Sequence, residues 1–548
     1  MNSCLRGKAL RRCRGLAALA VATLIAFSMT RYIISVPQGL PASGAHHPAL
    51  SYEGLLLAIA ANIARHGLCN TWWCGFVDPL RFSPPTITLA LIPWFPSVEH
   101  AAYAFTVLMA VSLTGLYASL GLAVYRLSSS LTLSIASMLS LPLLAGFREM
   151  VVLRDVPMML GLCIALVALL KFIEVLRMGE RRSAIACGAL FGLTALTDLR
   201  AFVFLLVVSA VLGVYTLLDL IKHGADRYAL AYLLRRVVDV VLLCGAICCW
   251  WLIPALLPFG ARHCLSLSMR VTAVELSSAV PFIALSTLLA TCFVARARLA
   301  TVALATTLAT IVASVRYYPD TTSFIALAVS LATLFTECRR GYANRIASAC
   351  VLVLMIVLSS LYTASLSQSL RNCIDFGKWP QYQVAEYLRK HCGYGCRALV
   401  LDTVDRWWIQ LFDAETAFVS APSPSLCILA RFSKLPSMLV ERGLSAVSEL
   451  RALCVEYIVA ELRSLQSPTL SKLIAEHVLK PVARFGDLVV VKVSGVECRC
   501  VPPRLGVWSC ITPSKMVGAA VSALCIALYV YRSRRERILE TLGAPRAR

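Results

Sequence analysis

Side chains able to do acid–base or anion-binding chemistry are sparse in this sequence and gather in a few short segments. The stretch from 52 to 93 opens Tyr52-Glu53-Gly54, runs through Ile59, Ile63 and Gly67, reaches Asp78-Pro79 and restarts at Ser83-Pro84-Pro85-Thr86. A second segment, Phe147 to Pro157, holds Arg148, Glu149, Arg154 and Asp155. A third closes a glycine-containing apolar run with Thr197-Asp198-Leu199-Arg200. A carboxylate can accept a hydroxyl proton or hold a divalent cation, and a guanidinium can grip a phosphate through paired donors. Near a bilayer such groups are costly unless solvated, paired or used.

The elements that must position them are membrane helices. Hydrophobic residues make up 59% of the chain and charged ones 15%, and the mean hydropathy is +0.76. Apolar runs long enough to cross a hydrocarbon core recur from Leu16 to Leu366, with one more at Met516 to Val530. We expect a polytopic α-helical membrane protein with about twelve transmembrane helices.

Lysine and arginine are retained on the cytoplasmic side. Arg6, Lys8, Arg11, Arg12 and Arg14 precede the first run, which is long enough to stay as an anchor rather than a cleaved signal. Basic groups at Lys171 to Arg182, Lys222 to Arg236, Arg296 with Arg298, Arg339 to Arg345 and Arg532 to Arg537 then all fall inside. Both termini are expected in the cytoplasm of a multi-pass cell-membrane protein. The three chemical segments fall on the outer face. The net charge of +23 resides largely in these flanks, where it meets anionic lipid, so nucleic-acid binding is not expected.

Polarity rises after Leu366, and three units are expected: a transmembrane domain at 1–367 with its first outer loop at 36–98, an extracytoplasmic α/β domain at 368–515, and a last helix with a basic tail at 516–548. The exterior block has helical periodicity at Gln383 to Lys390, Leu444 to Ala452 and Leu470 to Val478. Strand composition appears at Ala398 to Leu401, Ala417 to Ser420, Tyr457 to Ala460 and Leu488 to Val493. No glycine-rich phosphate loop, Ser/His/Asp signature or metal-helix motif is present, so a binding, lid or structural module is expected. Cys373, Cys392, Cys396, Cys427, Cys454, Cys498, Cys500 and Cys510 form an even exterior set suited to disulfides, with zinc as the rival. Cys69 and Cys74 could close a ring around Trp72-Trp73, whose rings suit either an interfacial anchor or a sugar-stacking surface. Cys163, Cys187, Cys244, Cys248, Cys249 and Cys292 lie in spans as small packing residues.

Taken together, these segments resemble the GT-C superfamily of integral membrane glycosyltransferases. The resemblance is to the protein O-mannosyltransferase and aminoarabinose transferase type, and to archaeal relatives with a C-terminal exterior domain. Glu53 matches the second member of that family's outer-loop Asp-Glu pair, Ile59 to Gly67 its short juxtamembrane helix, and Ser83 to Thr88 its proline-opened helix. Tyr52 stands where the family's catalytic aspartate is most often found. Asp155 matches the acid that precedes an apolar helix, and Gly188 to Thr197 the glycine-rich fifth helix with its Leu-Thr-Lys turn. Asp198 replaces that lysine, and Arg200 follows closely. The match covers roughly residues 15 to 220.

The resemblance implies transfer of a sugar from a polyprenyl-phosphate donor, of the dolichyl phosphate kind, to an exported protein, lipid or glycan acceptor. Glu53 and Asp155 are then the catalytic candidates and the tentative ligands of a divalent metal, Mg or Mn. Asp78, Arg148, Arg154 and Arg200 are the substrate-binding candidates, with Arg262 and Arg270 as weaker ones. Each has a structural alternative. Glu53 suits the first turn of a helix; Asp155 suits a helix cap or a pair with Arg148 or Arg154; Asp78 before Pro79 suits a turn; His46 and His47 suit a solvated loop. Asp405-Arg406-Trp407-Trp408 resembles faintly an oligosaccharyltransferase acceptor motif but lacks its Asp-Tyr-Gly, and Tyr317 to Asp320 suits a groove lining or a plain loop. The rival functions are a scaffold without turnover, whether pseudoenzyme or envelope assembly factor, and a secondary transporter. No inverted repeat supports the transporter.

Overall fold

The computed structural model describes residues 52–67, 85–95, 98–128, 154–222, 227–256, 379–392, 396–401, 435–496 and 513–541, with isolated positions between them. The membrane part opens with α1 (Tyr52–His66) and α2 (Pro85–Leu91), the latter continuing into a single 3-10 turn at Ile92–Trp94. It continues through α3 (Val98–Ser128), α4 (Val156–Met178), α5 (Arg181–Thr197), α6 (Leu199–Lys222) and α7 (Arg227–Leu256), and closes with α13 (Pro513–Thr541) after the α/β part. Among the described residues four helices are long and apolar enough to cross a membrane: His100–Ala123, Val156–Met178, Leu230–Pro254 and Lys515–Glu536. The chain is a membrane protein.

Local sequence explains where α4 begins and ends. Asp155 accepts from the Met158 amide at 3.1 Å, and Pro157 in the first turn has no amide to leave unsatisfied. Gly179 ends the helix at φ +63°, donating its amide to Val175, in a conformation that a side chain resists. Only Asp198 separates α5 from α6. Its amide donates to Thr194 O and so finishes α5, while its carboxylate accepts from the Ala201 amide at 2.9 Å and so starts α6.

Small residues set how closely these helices pack. A Cβ added at Gly188 would lie 2.7 Å from Leu243 Cβ and 2.8 Å from Val240 O; one at Gly192 would lie 2.7 Å from Ile247 Cβ. These two glycines share one face of α5, four residues apart, and let its backbone approach α7. Gly518 does the same for α13, where a Cβ would meet Cys249 O at 2.8 Å and Trp250 O at 3.2 Å. The described cysteines of the bundle, Cys163, Cys187, Cys244, Cys248, Cys249 and Cys525, carry no disulfide.

The helices α7 and α13 run antiparallel and are joined at one end by charge. Arg236 and Asp239 are both buried, 3.1 Å apart, and Glu536 reaches Arg236 at 3.4 Å and Arg235 at 3.6 Å. Arg532 lies 3.5 Å from Asp239, and Arg181 of α5 donates to Ser533. Three of the basic segments assigned to one side by their charge therefore meet at one end of the bundle.

Between α7 and α13 lies a five-stranded sheet with helices on both faces. Its strands are β1 (Arg397–Val400), β2 (Ala417–Phe418), β3 (Val455–Glu461), β4 (Leu479–Phe485) and β5 (Leu488–Val493), in the order β2-β1-β3-β5-β4. The pairings β1–β2 and β1–β3 are parallel, whereas β3–β5 and β4–β5 are antiparallel. Side chains alternate between the two faces. Ala398, Val400, Tyr457, Val459, Leu488 and Val490 pack with α8 (Pro380–Cys392). Leu399, Ile458, Ala460, Val489, Val491 and Val493 pack with α9 (Leu435–Arg442), α10 (Leu444–Ala452) and α12 (Pro468–Ala475), and the one-turn α11 (Leu462–Leu465) follows β3. A disulfide between Cys392 and Cys396 ties the end of α8 to the start of β1, and Cys454 is disulfide-bonded too.

Strand β4 is absent from the sequence expectation, which carried helix to Val478; α12 stops at Ala475. Lys480, Pro481 and Arg484 weaken its strand signal, and these are residues that an edge strand tolerates on its open side.

Candidate functional site

The site is built from the start of α4 and the one-residue break between α5 and α6. Arg200, in the first turn of α6, reaches across to Asp155 Oδ2 at 2.6 Å through Nη2. The same nitrogen lies 2.8 Å from Asp198 Oδ2, and Nε donates to both Asp198 oxygens at 3.2 and 3.3 Å. Both carboxylate side chains are 6% exposed, whereas Arg200 is 38% exposed. One partly exposed guanidinium thus bridges two buried acids. A cation in the first turn opposes the helix dipole, and the two acids offset that cost.

Burial pushes the Asp155 carboxyl up from its ordinary range; Arg200 pulls it down, and the neighbouring Asp198 charge pushes it up again. Two acids with one cation leave the cluster formally one charge short of neutral.

Close helix contact holds the acids together. A Cβ at Gly161, on α4, would sit 2.8 Å from Asp198 Cβ and 2.9 Å from Ala201 Cβ. Both are rigidly attached to the backbone, so even alanine here forces α4 away from the α5–α6 junction.

Arg154, next to Asp155, faces the other way. It adopts φ +51°, in the left-handed region, which costs a non-glycine residue about 1–2 kcal/mol. The turn aims its guanidinium at α3, where Nη2 donates to Thr106 Oγ1 at 2.9 Å and the group lies 5.9 Å from the Phe105 ring centre. Strain of this kind gathers at sites where geometry matters. Here it sends Arg154 to α3 and leaves Asp155 for α6.

The proline-opened helix joins the same end. Thr86 of α2 donates to Leu196 O at 3.1 Å, in the last turn of α5 and two residues before Asp198, and α1 packs on α2. Glu53 is the second residue of α1, and its side chain lies outside the described residues. So do Asp78, Arg148, Arg262, Arg270, His46, His47, Cys69, Cys74, Trp72, Trp73, Tyr317 to Asp320 and Asp405 to Trp408.

A scan of family models finds no match to this chain, and a search of curated proteins finds none either. Solved structures do match. The archaeal oligosaccharyltransferase AglB from Archaeoglobus fulgidus, in complex with an inhibitory peptide and a dolichol-phosphate, is 12% identical with a TM-score of 0.52, covering 82% of this chain and 69% of that one. The chain has the GT-C fold. ArnT from Cupriavidus metallidurans in the apo state is 13% identical with a TM-score of 0.49, covering 87% of this chain and 97% of that one. The same protein bound to undecaprenyl phosphate is 14% identical with a TM-score of 0.44, covering 88% and 98%.

Within this GT-C fold, the structure brings together Asp155 and Arg200 of the expected set. It gives Asp155 the cap role, and it pairs that acid with Arg200 rather than with Arg154. Asp198 is the member absent from the expected set, since by resemblance it stands only as the replacement of a lysine. A helix-start signal was present: Thr197-Asp198-Leu199-Arg200 puts a capping acid directly before a new apolar run.

A divalent metal on Asp155 meets an obstacle in this arrangement. The place between the two carboxylates is filled by the Arg200 guanidinium, and among the described residues no group of three or more His, Cys, Asp or Glu side chains is placed to hold a metal. Asp155 and Asp198, so engaged, do not fit such an ion; the side chain of Glu53, the other expected ligand, lies outside the described residues.

Proposed function

We propose that the chain is a glycosyltransferase that moves a sugar from a polyprenyl-phosphate donor to an exported acceptor, with the Asp155–Arg200–Asp198 cluster and the 368–515 domain on the extracytoplasmic side and both termini in the cytoplasm. The observation that carries the reading is the Arg200 guanidinium fixed by two buried acids at the end of a bundle with the GT-C fold. A cation held that rigidly can receive a leaving phosphate without reorganising. That AglB, of the same fold, was solved with a dolichol-phosphate supports this donor class.

In the reaction the acceptor oxygen bonds to the anomeric carbon while the bond from that carbon to the phosphate oxygen breaks. Glu53 takes the acceptor proton, and the polyprenyl phosphate departs with the electron pair, its charge met by Arg200. Asp155 and Asp198 position Arg200.

Reconstituted protein should consume a polyprenyl-phosphate sugar and release polyprenyl phosphate. Glu53→Gln should lower that rate by about 10²–10⁴-fold, the range for losing a general base, with melting unchanged. Gly161→Ala should lower it by about 10²-fold through displaced geometry, read in the same assay alongside circular dichroism to confirm an intact helix content.

One observation favours a second reading. Asp155 and Asp198 each cap a helix, so the cluster also suits a scaffold without turnover. A scaffold would be indifferent to Glu53→Gln, because it has no transfer to lose.

A further inference from the structure

The divalent metal expected on Asp155 and the geometry of that acid disagree, and the disagreement has a chemical consequence. Two carboxylates brought together at a helix junction are the donor type that hard divalent cations take. In this chain each acid is already engaged. Asp155 gives one oxygen to the Met158 amide and the other to Arg200 at 2.6 Å; Asp198 gives Oδ1 to the Ala201 amide and both oxygens to Arg200. An ion entering between them would have to expel a guanidinium held by both partners. That guanidinium is not an accident of a flexible side chain, since it lies in the first turn of α6 against the helix dipole and is retained there by the acids.

We propose that Arg200 is the resident cation of this site, standing where a divalent ion would bridge Asp155 and Asp198, so that transfer runs without a divalent metal on these two acids. Its last clause rests on the transferase reading; the assignment of the cation does not. A guanidinium differs from a metal in one useful respect. It cannot be chelated or exchanged.

The test is a Mn²⁺ titration of the detergent-solubilised full chain, read by the paramagnetic resonance of free Mn²⁺ and by the melting temperature. Wild-type protein should show no Mn²⁺ uptake that Asp155→Asn removes; asparagine is chosen because it still caps a helix. Arg200→Ala should melt lower, take up Mn²⁺ about tenfold more tightly or better than wild type, and regain melting temperature as it does so. The double variant Asp155→Asn with Arg200→Ala should lose that response. If Arg200→Ala does not yield folded protein, Arg200→Gln keeps the bulk and replaces it in the titration.

Wild-type uptake of Mn²⁺ that is lost in Asp155→Asn overturns the assignment, and so does an arginine-free variant that ignores Mn²⁺. In the transfer assay, wild-type turnover should survive EDTA. Turnover abolished by EDTA and restored by Mn²⁺ overturns the metal-free mechanism while upholding the transferase. Absence of turnover from every donor sinks the transferase, and the Mn²⁺ titration then decides the cation assignment by itself.

Discussion

Replacing Arg200 with alanine should cost about 3 kcal/mol of stability, a value at the low end for breaking a buried ion pair because 38% exposure lets water partly screen the loss. The cost arises from what is left behind. Asp155 and Asp198 would face each other as two buried anions with only a helix-terminal amide each. Adding Asp155→Asn to the same chain removes one of those anions and retains the cap, so the double variant should recover roughly half of the loss. Melting of the four proteins in one detergent measures the coupling. If the two substitutions simply add, the acids do not share the cation and the cluster described above is wrong.

Gly188→Val should be the most damaging change in the membrane part. An added Cβ alone lies 2.7 Å from Leu243 Cβ and 2.8 Å from Val240 O, and neither can rotate away because one is backbone and the other is bonded to it. Overpacking in a well-filled core costs about 1–3 kcal/mol, and the branched side chain adds to that. The helix α7 is also packed on α13, so pushing it outward disturbs a second interface closed by Gly518. The expected result is loss of monodisperse protein on size exclusion. Gly213→Ala is the control, since its Cβ would find only Phe172 Cζ at an ordinary 3.9 Å. A Gly188→Val protein as stable as Gly213→Ala would contradict the close crossing of α5 and α7.

The bundle was legible because its signals are local and strong. Apolar length announces α4, α7 and α13, and the caps at Asp155 and Gly179 can be read from residue type alone. The alternating exterior strands β3 and β5 were equally plain, since a buried strand cannot hide its β-branched residues. Strand β4 was not, because Pro481 and its flanking charges describe an open sheet edge, and only pairing with β5 makes it a strand. Asp155 and Arg200 were singled out from their types, but their partnership was not. It depends on a contact between residues 45 apart in sequence, made possible by the missing side chain of Gly161. The ion network of Arg236, Asp239, Arg532 and Glu536 was hidden for the same reason: positive flanks reveal an end of a helix, not which acid on a distant helix will meet them.

In the proposed transfer an acceptor, a carboxylate base and a fixed guanidinium meet around a polyprenyl-phosphate sugar. Incubating the reconstituted protein with a panel of such donors and counting released polyprenyl phosphate measures this transfer. Release that depends on Glu53 and collapses in Arg200→Gln is the predicted result. No release from any donor, or release that both variants sustain at the wild-type rate, would contradict it.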